Sequence, residues 1–119
     1  MKYLLTLLAV LFIAGCGQKT ATKAFVLSYG NLADVSILVD GNKIEMRTDG
    51  SGTILNINGM IKNNPFTVDV TISPNPNTAG GYSFGLAALH EDESFSFLIK
   101  ETIKLPIQSP FHKTWTIRK

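Results

Sequence analysis

The chain has 119 residues, 45% of them hydrophobic and 17% charged, with eleven basic against nine acidic side chains. That length fits one compact domain and excludes most large enzyme scaffolds. A net charge of +2 advertises neither a nucleic-acid footprint nor an acidic tail.

Residues 1–15 read as a secretory signal. A basic start at Lys2 precedes an apolar run over residues 3–14, interrupted only by Thr6. The run is too short to cross the hydrocarbon core of a bilayer, which takes about 20 residues. It ends in Ile13, Ala14 and Gly15, directly before Cys16, the single cysteine of the chain. This stretch resembles the lipobox of bacterial lipoproteins, and the resemblance covers the first sixteen residues. It implies that the Cys16 thiol receives a diacylglyceryl group, that a type II signal peptidase cuts between Gly15 and Cys16, and that the new amino group is open to acylation in turn. Gly17, where an inner-membrane lipoprotein would carry aspartate, is similar to the pattern of outer-membrane lipoproteins. The expectation is a cell-envelope protein, lipid-anchored and facing the periplasm from the outer membrane. Two or more acyl chains hold a protein stably where one does so only marginally, each buried methylene contributing about 0.8 kcal/mol.

Residues 16–23 lack apolar periodicity and read as a lipidated tether, leaving 24–119 as a single domain. With no second cysteine the domain has no disulfide framework and no cysteine-based metal or redox site. From Ala24 onward, short alternating runs of Val, Ile, Thr and Phe are separated by Gly, Asn, Asp and Pro every eight to twelve residues. That pattern predicts an all-β domain, a small antiparallel β-sandwich or barrel of about eight strands.

A first strand is expected at 25–29. With Asp40-Gly41 as a hairpin turn, Ile37 faces Ile44, Val35 faces Met46 and Asp34 faces Arg47; a slip to Gly41-Asn42 keeps the same parity. The clearest strand has Phe66, Val68, Val70 and Ile72 on one side and Thr67, Asp69 and Thr71 on the other. Its expected partner is 53–62. A turn at Asn63-Asn64 pairs Ile61 with Phe66, Ile57 with Val70 and Leu55 with Ile72, whereas a turn at Asn58-Gly59 mixes polar and apolar on both faces. A four-residue loop over 90–93 sets Phe84 against Ile99, Leu86 against Phe97 and Ala88 against Phe95. A helix over 98–105 is the alternative there, truncated by Pro106. A last strand over 113–118 points Trp115 and Ile117 inward.

Few residues group into chemistry. Gly81-Tyr82-Ser83-Phe84-Gly85 matches the nucleophile-elbow spacing, and Asp92 and His112 follow in hydrolase order. The elbow needs a helix after the serine, though, and Ser83 sits within a strand pattern. His90, Glu91, Asp92 and Glu93 gather an imidazole and three carboxylates that more simply form a solvated hairpin tip, and no metal or other cofactor is expected. The irregular stretch 73–81 is the candidate binding loop, with Asn75, Asn77 and the adjacent Tyr82 as its contact residues. A polar face bearing Asn56, Asn58, Thr67, Asp69 and Thr71 is a second candidate surface. These features predict a non-enzymatic protein-binding or accessory role at the envelope, as an assembly factor, an inhibitor or an exclusion or immunity lipoprotein. Its partners are the membrane, through Cys16, and an envelope protein, with no nucleic acid. The alternative is a carrier of a small apolar ligand in a lipocalin-like barrel.

Overall fold

The structure, a computed structural model, describes residues 21–119; the expectations on Gly15 and Cys16 lie outside the described residues. Among the described residues eight strands form: β1 (Thr22–Gly30), β2 (Val35–Val39), β3 (Asn42–Lys43), β4 (Gly52–Asn56), β5 (Phe66–Ile72), β6 (Gly80–His90), β7 (Phe95–Leu105) and β8 (Phe111–Ile117). A short 3-10 turn at Asn58–Met60 is the one helical piece among the described residues. The strands make two four-stranded antiparallel sheets, in the orders β4-β1-β6-β7 and β3-β2-β5-β8, packed face to face as a sandwich. β1 begins at Thr22, so two residues read as tether extend the first strand.

The alternation of the sequence decides what each strand buries. In β5, Phe66, Val68, Val70 and Ile72 point into the core while Thr67, Asp69 and Thr71 point out. They meet Phe25, Leu27 and Tyr29 of β1 and Phe84 and Leu86 of β6, which are the inward residues of the facing sheet. Aromatic pairs tie the layers at both sides. The Phe25 and Phe66 rings meet edge-on at 5.2 Å, and Phe84 and Trp115 at 5.5 Å, within the favourable range for T-shaped contacts.

Only two pairs of consecutive strands are hairpins. The Asp40-Gly41 turn has positive φ at both residues, 51° and 84°, as a type I′ turn requires. It pairs Val39 with Asn42 and Leu38 with Lys43, and the Ile44 amide donates to the Ile37 carbonyl at 2.9 Å, so the register is the Asp40-Gly41 one. The ladder ends at Lys43, however, and the expected Asp34–Arg47 pair does not form. Arg47 pairs with Asp49 instead, while Asp34 accepts from Asn75 and Thr78.

The expected hairpin of 53–62 with β5 is overturned. β4 runs beside β1, with Leu55 opposite Leu27 and Ile54 opposite Ser28, and β5 lies between β2 and β8, where both its hydrogen-bonding edges are taken. Asn56 causes the divergence: its side-chain oxygen accepts the Asn58 amide at 2.9 Å, and the Met60 amide donates to the Ile57 carbonyl. The strand therefore stops where the pairing arithmetic ran on. Asn58 then bridges back to β1, accepting from the Phe25 amide and donating to the Lys23 carbonyl. Ile57 is left fully buried, and the chain crosses to the other sheet.

The β6–β7 hairpin forms, but in another register. Leu86 faces Ile99, Ala87 faces Phe97 and Leu89 faces Phe95, with an irregularity between Leu86 and Ala87. Leu98 is the extra residue of a β-bulge. It reverses the parity of the strand below it, so Phe95 and Phe97, expected inside, lie outside at 60% and 62% exposure. Gly85 makes room for this. A Cβ there would stand 2.9 Å from the Ile99 carbonyl oxygen.

Ile57→Asp is expected to cost about 3 kcal/mol or more in urea denaturation, because a carboxylate would replace a fully buried side chain. Ile54→Asp, on the same strand run but 77% exposed, is expected to change stability by less than about 0.5 kcal/mol. Equal effects would mean the inward and outward positions are misassigned.

Candidate functional site

The strands define two ends. The chain enters at Thr22, which pairs with His90, and that end also holds the β2–β3 and β6–β7 turns and the 57–65 crossing. The opposite end gathers the connections over 31–34, 44–51, 73–79 and 106–110.

Two buried or half-buried polar residues organise this loop end. Asn31 is the buried polar residue of the described core, and each of its groups is matched. Its Nδ2 donates to the Thr53 hydroxyl at 2.6 Å and to the Ser51 carbonyl at 3.0 Å. Its Oδ1 accepts from the Arg47 amide at 3.1 Å, and its backbone exchanges bonds with Ser51 and Gly50. Residues 47–53 are thus folded around one side chain, as the cost of leaving a buried amide unpaired demands. Asp34 does the same for the candidate binding loop: its carboxylate accepts from Asn75 Nδ2 at 2.9 Å and Thr78 Oγ1 at 3.1 Å, and its carbonyl accepts from the Ser73 amide.

Of the sequence-predicted contact residues, Asn75 is therefore occupied in holding the loop, its Oδ1 also accepting from the Asn77 amide. Asn77 is exposed at the tip. Tyr82 contributes no surface. It is buried, with its hydroxyl donating to the Gly30 carbonyl at 2.7 Å, and burial pushes its phenol up to about 12. Sequence reasoning missed Asn31 because an asparagine between Gly30 and a hydrophobic residue looks like ordinary turn chemistry.

The other groupings come apart. Ser83 lies on the outer side of β6, sharing a 3.0 Å hydrogen bond with Thr102. His112 lies on the outer side of the other sheet, 3.4 Å from Asp69, and the core separates the two. Gly85 serves the neighbouring bulge and not an elbow, and a Cβ at Gly81 would make only an ordinary contact with Thr102. At the hairpin tip, Glu93 pairs with Lys23 at 2.9 Å, Asp92 accepts from the Ser94 amide and hydroxyl, and His90 Nε2 bonds Ser96 Oγ at 2.8 Å. Among the described residues no group of three potential ligands converges on a metal position. The expected polar face also divides. Thr67, Asp69 and Thr71 share the outer side of β5 with Thr114 and His112 opposite, whereas Asn56 belongs to the other sheet and Asn58 to the crossing turn.

A shallow groove of about 660 Å³ runs along the outer face of the β4-β1-β6-β7 sheet. Its floor is Ser28, Gly30 and Gly85, and its walls are Ile54 on one side and Phe97 with Lys100 on the other. A second concavity, of about 930 Å³, opens at the chain-entry end between Lys23, Asn58, His90 and Arg118. In comparisons with known proteins, no family model, no curated protein and no solved structure matches this chain.

Asn31→Ala is expected to cost about 2 kcal/mol by leaving buried partners unpaired. Hydrogen exchange should show the Arg47 amide losing protection while the β5 amides keep theirs; uniform loss across the sheet would contradict a local role. The raised Tyr82 pKa also has a pH signature. Between pH 10 and about 12 the unfolded phenol releases its proton while the folded one keeps it, so stability present below pH 10 falls through that window. Tyr82→Phe should flatten the fall in a series of denaturation curves, and an unchanged slope would count against the burial.

Proposed function

We propose that the protein is a lipid-anchored envelope lipoprotein whose β-sandwich serves a non-enzymatic protein-binding or accessory role, from the outer membrane into the periplasm. The observation that carries this reading is the single cysteine, Cys16, standing directly after an apolar run and Ala14-Gly15, a few residues before the first strand at Thr22. With the anchor at that end, a nine-residue β1 sets the loop end about 30 Å away from it along the sandwich. The loops braced by Asn31 and Asp34 would then project clear of the anchored end, open to a partner in the periplasmic space. Exposed Asn77 at the tip of the 73–79 loop is the natural contact point, with the loop held in shape by Asn75.

The reading as a carrier of an apolar ligand needs an enclosed interior cavity. The space between the sheets is occupied by Leu27, Ile37, Val68, Val70 and Leu86, all fully buried, and the concavities open on the outside, which favours the first reading.

Metabolic labelling with radioactive palmitate tests the anchor. Labelling of the wild-type protein and its membrane fractionation should both disappear in Cys16→Ser. Label that persists in the variant, or a wild-type chain that carries none, would overturn the lipoprotein reading.

A further inference from the structure

We propose that the outer face of the β4-β1-β6-β7 sheet lies against the lipid surface, an inference that rests on the lipid-anchored reading and specifies how the domain sits on the membrane.

The two outer faces of the sandwich differ in kind. The large hydrophobic side chains exposed among the described residues are Ile54, Phe95, Phe97 and Leu98, and all four belong to this one sheet. The bulge at Leu98 is what turns Phe95 and Phe97 outward, and it depends on the absence of a side chain at Gly85. A fold that spends a glycine and a broken ladder to expose two phenylalanines, when regular pairing would bury them, has a surface that calls for a partner. The opposite face carries threonines, with Asp69 bonded to Thr114 and facing His112, as a solvated sheet does.

Charge points to the same occupant. The registers place no acidic residue among the outward positions of β1, β4, β6 and β7. Glu101, which borders the groove, lies at an inward position opposite Phe84 and pairs with Lys113 at 3.5 Å. The outward charges are Lys100 and Lys104, opposite Gly85 and Gly81. The Lys100 ammonium sits 5.3 Å from the Phe97 ring centroid. Aromatic rings flanked by long cationic side chains suit the boundary between acyl chains and anionic headgroups, where the ring is immersed and the ammonium reaches phosphate. A second copy of this chain fits less well, because stacking two such faces would set Lys100 and Lys104 of each against like charges with no outward carboxylate to answer them.

The position of the anchor makes the contact reachable. Ala24, Leu89 and Phe95 form one row across β1, β6 and β7, which places Phe95 about 10 Å from the entering chain. Cys16 precedes Thr22 by six residues, a reach of at most about 20 Å. At the hairpin tip Glu93 is paired with Lys23, while Glu91 and Asp92 keep their charge and belong on the water side of the contact. The sheet would lie on the membrane by this face, with the threonine face toward water.

Depth-dependent fluorescence quenching tests this. In a Trp115→Phe background, single tryptophans are placed at Phe97 (Phe97→Trp), at Phe95 (Phe95→Trp) as a second position on the proposed face, and at Thr116 (Thr116→Trp). Thr116 is exposed on the opposite face at the same end of the sandwich. The full chain, extracted from membranes, is reconstituted into vesicles of phosphatidylethanolamine and phosphatidylglycerol containing brominated lipid, and thermal melting verifies that each variant is folded. Quenching at positions 97 and 95 should exceed that at 116 by about fivefold, with a blue-shifted emission. Equal quenching at all three positions, or none, would overturn the proposal and leave the apolar face to a protein partner. Intact mass reads acylation of Cys16 separately. If no acyl group is found, the same chain coupled through the Cys16 thiol to a maleimide-bearing phosphatidylethanolamine supplies the tether, and the comparison of the two faces is read as before.

Discussion

A strand with one apolar side can be buried on that side only, and in this chain that constraint organises everything else. Phe25, Leu27 and Tyr29 in one sheet and Phe66, Val68, Val70 and Ile72 in the other have no shelter except each other. The sheets therefore close face to face, and most connections between strands must cross from one layer to the other. The two hairpin turns and the 57–65 crossing lie where the chain enters. The other four crossings gather at the far end, where Asn31 and Asp34 hold the 44–51 and 73–79 connections with hydrogen bonds that a buried or half-buried position makes obligatory. The two ends acquire different characters from the same packing requirement.

The bulge in β7 is the place where packing and surface chemistry meet. One extra residue, Leu98, reverses which side of the strand faces inward, so that Ile99 stays in the core while Phe95 and Phe97 leave it. The accommodation is local: Gly85 lies opposite, and a methyl group there would run into the Ile99 carbonyl. Below the bulge the outward side of β7 is aromatic; above it, Lys100, Thr102 and Lys104 continue the same side. The result is a sheet whose outer surface is apolar toward the chain entry and cationic farther along, while the other sheet presents hydroxyls.

How far the sequence could be read follows from the range of the interactions involved. The all-β class, the inward side of β5, the hairpin around Gly41 and the inward Trp115 and Ile117 were legible because each depends on a period-two pattern or on turn chemistry a few residues long; the choice of Asp40-Gly41 over Gly41-Asn42 came only with the ladder. The partner of β5 was not legible. Any strand with the same alternation satisfies cross-strand matching, and β2, β4 and β8 all qualify; the choice is made by Asn56 and Asn58, whose side chains end β4 early and dock the turn on β1. The register of the β6–β7 hairpin was hidden for a related reason, since a bulge leaves no mark on the alternation except a glycine opposite it. In the candidate loop, Asn75 and Asn77 stand at the end away from chain entry, whereas Tyr82 could be placed inside only once Gly30 was known to lie beside it.

The functional reading depends on which end is which, and that depends on β4 lying beside β1. Backbone nuclear Overhauser effects across the strands measure this directly. Contacts between Leu55 and Leu27, together with contacts between Ile72 and Val35, are the result expected from the sandwich. Contacts between Leu55 and Ile72 would join β4 to β5 as a hairpin, dissolve the distinction between a chain-entry end and a loop end, and contradict the account.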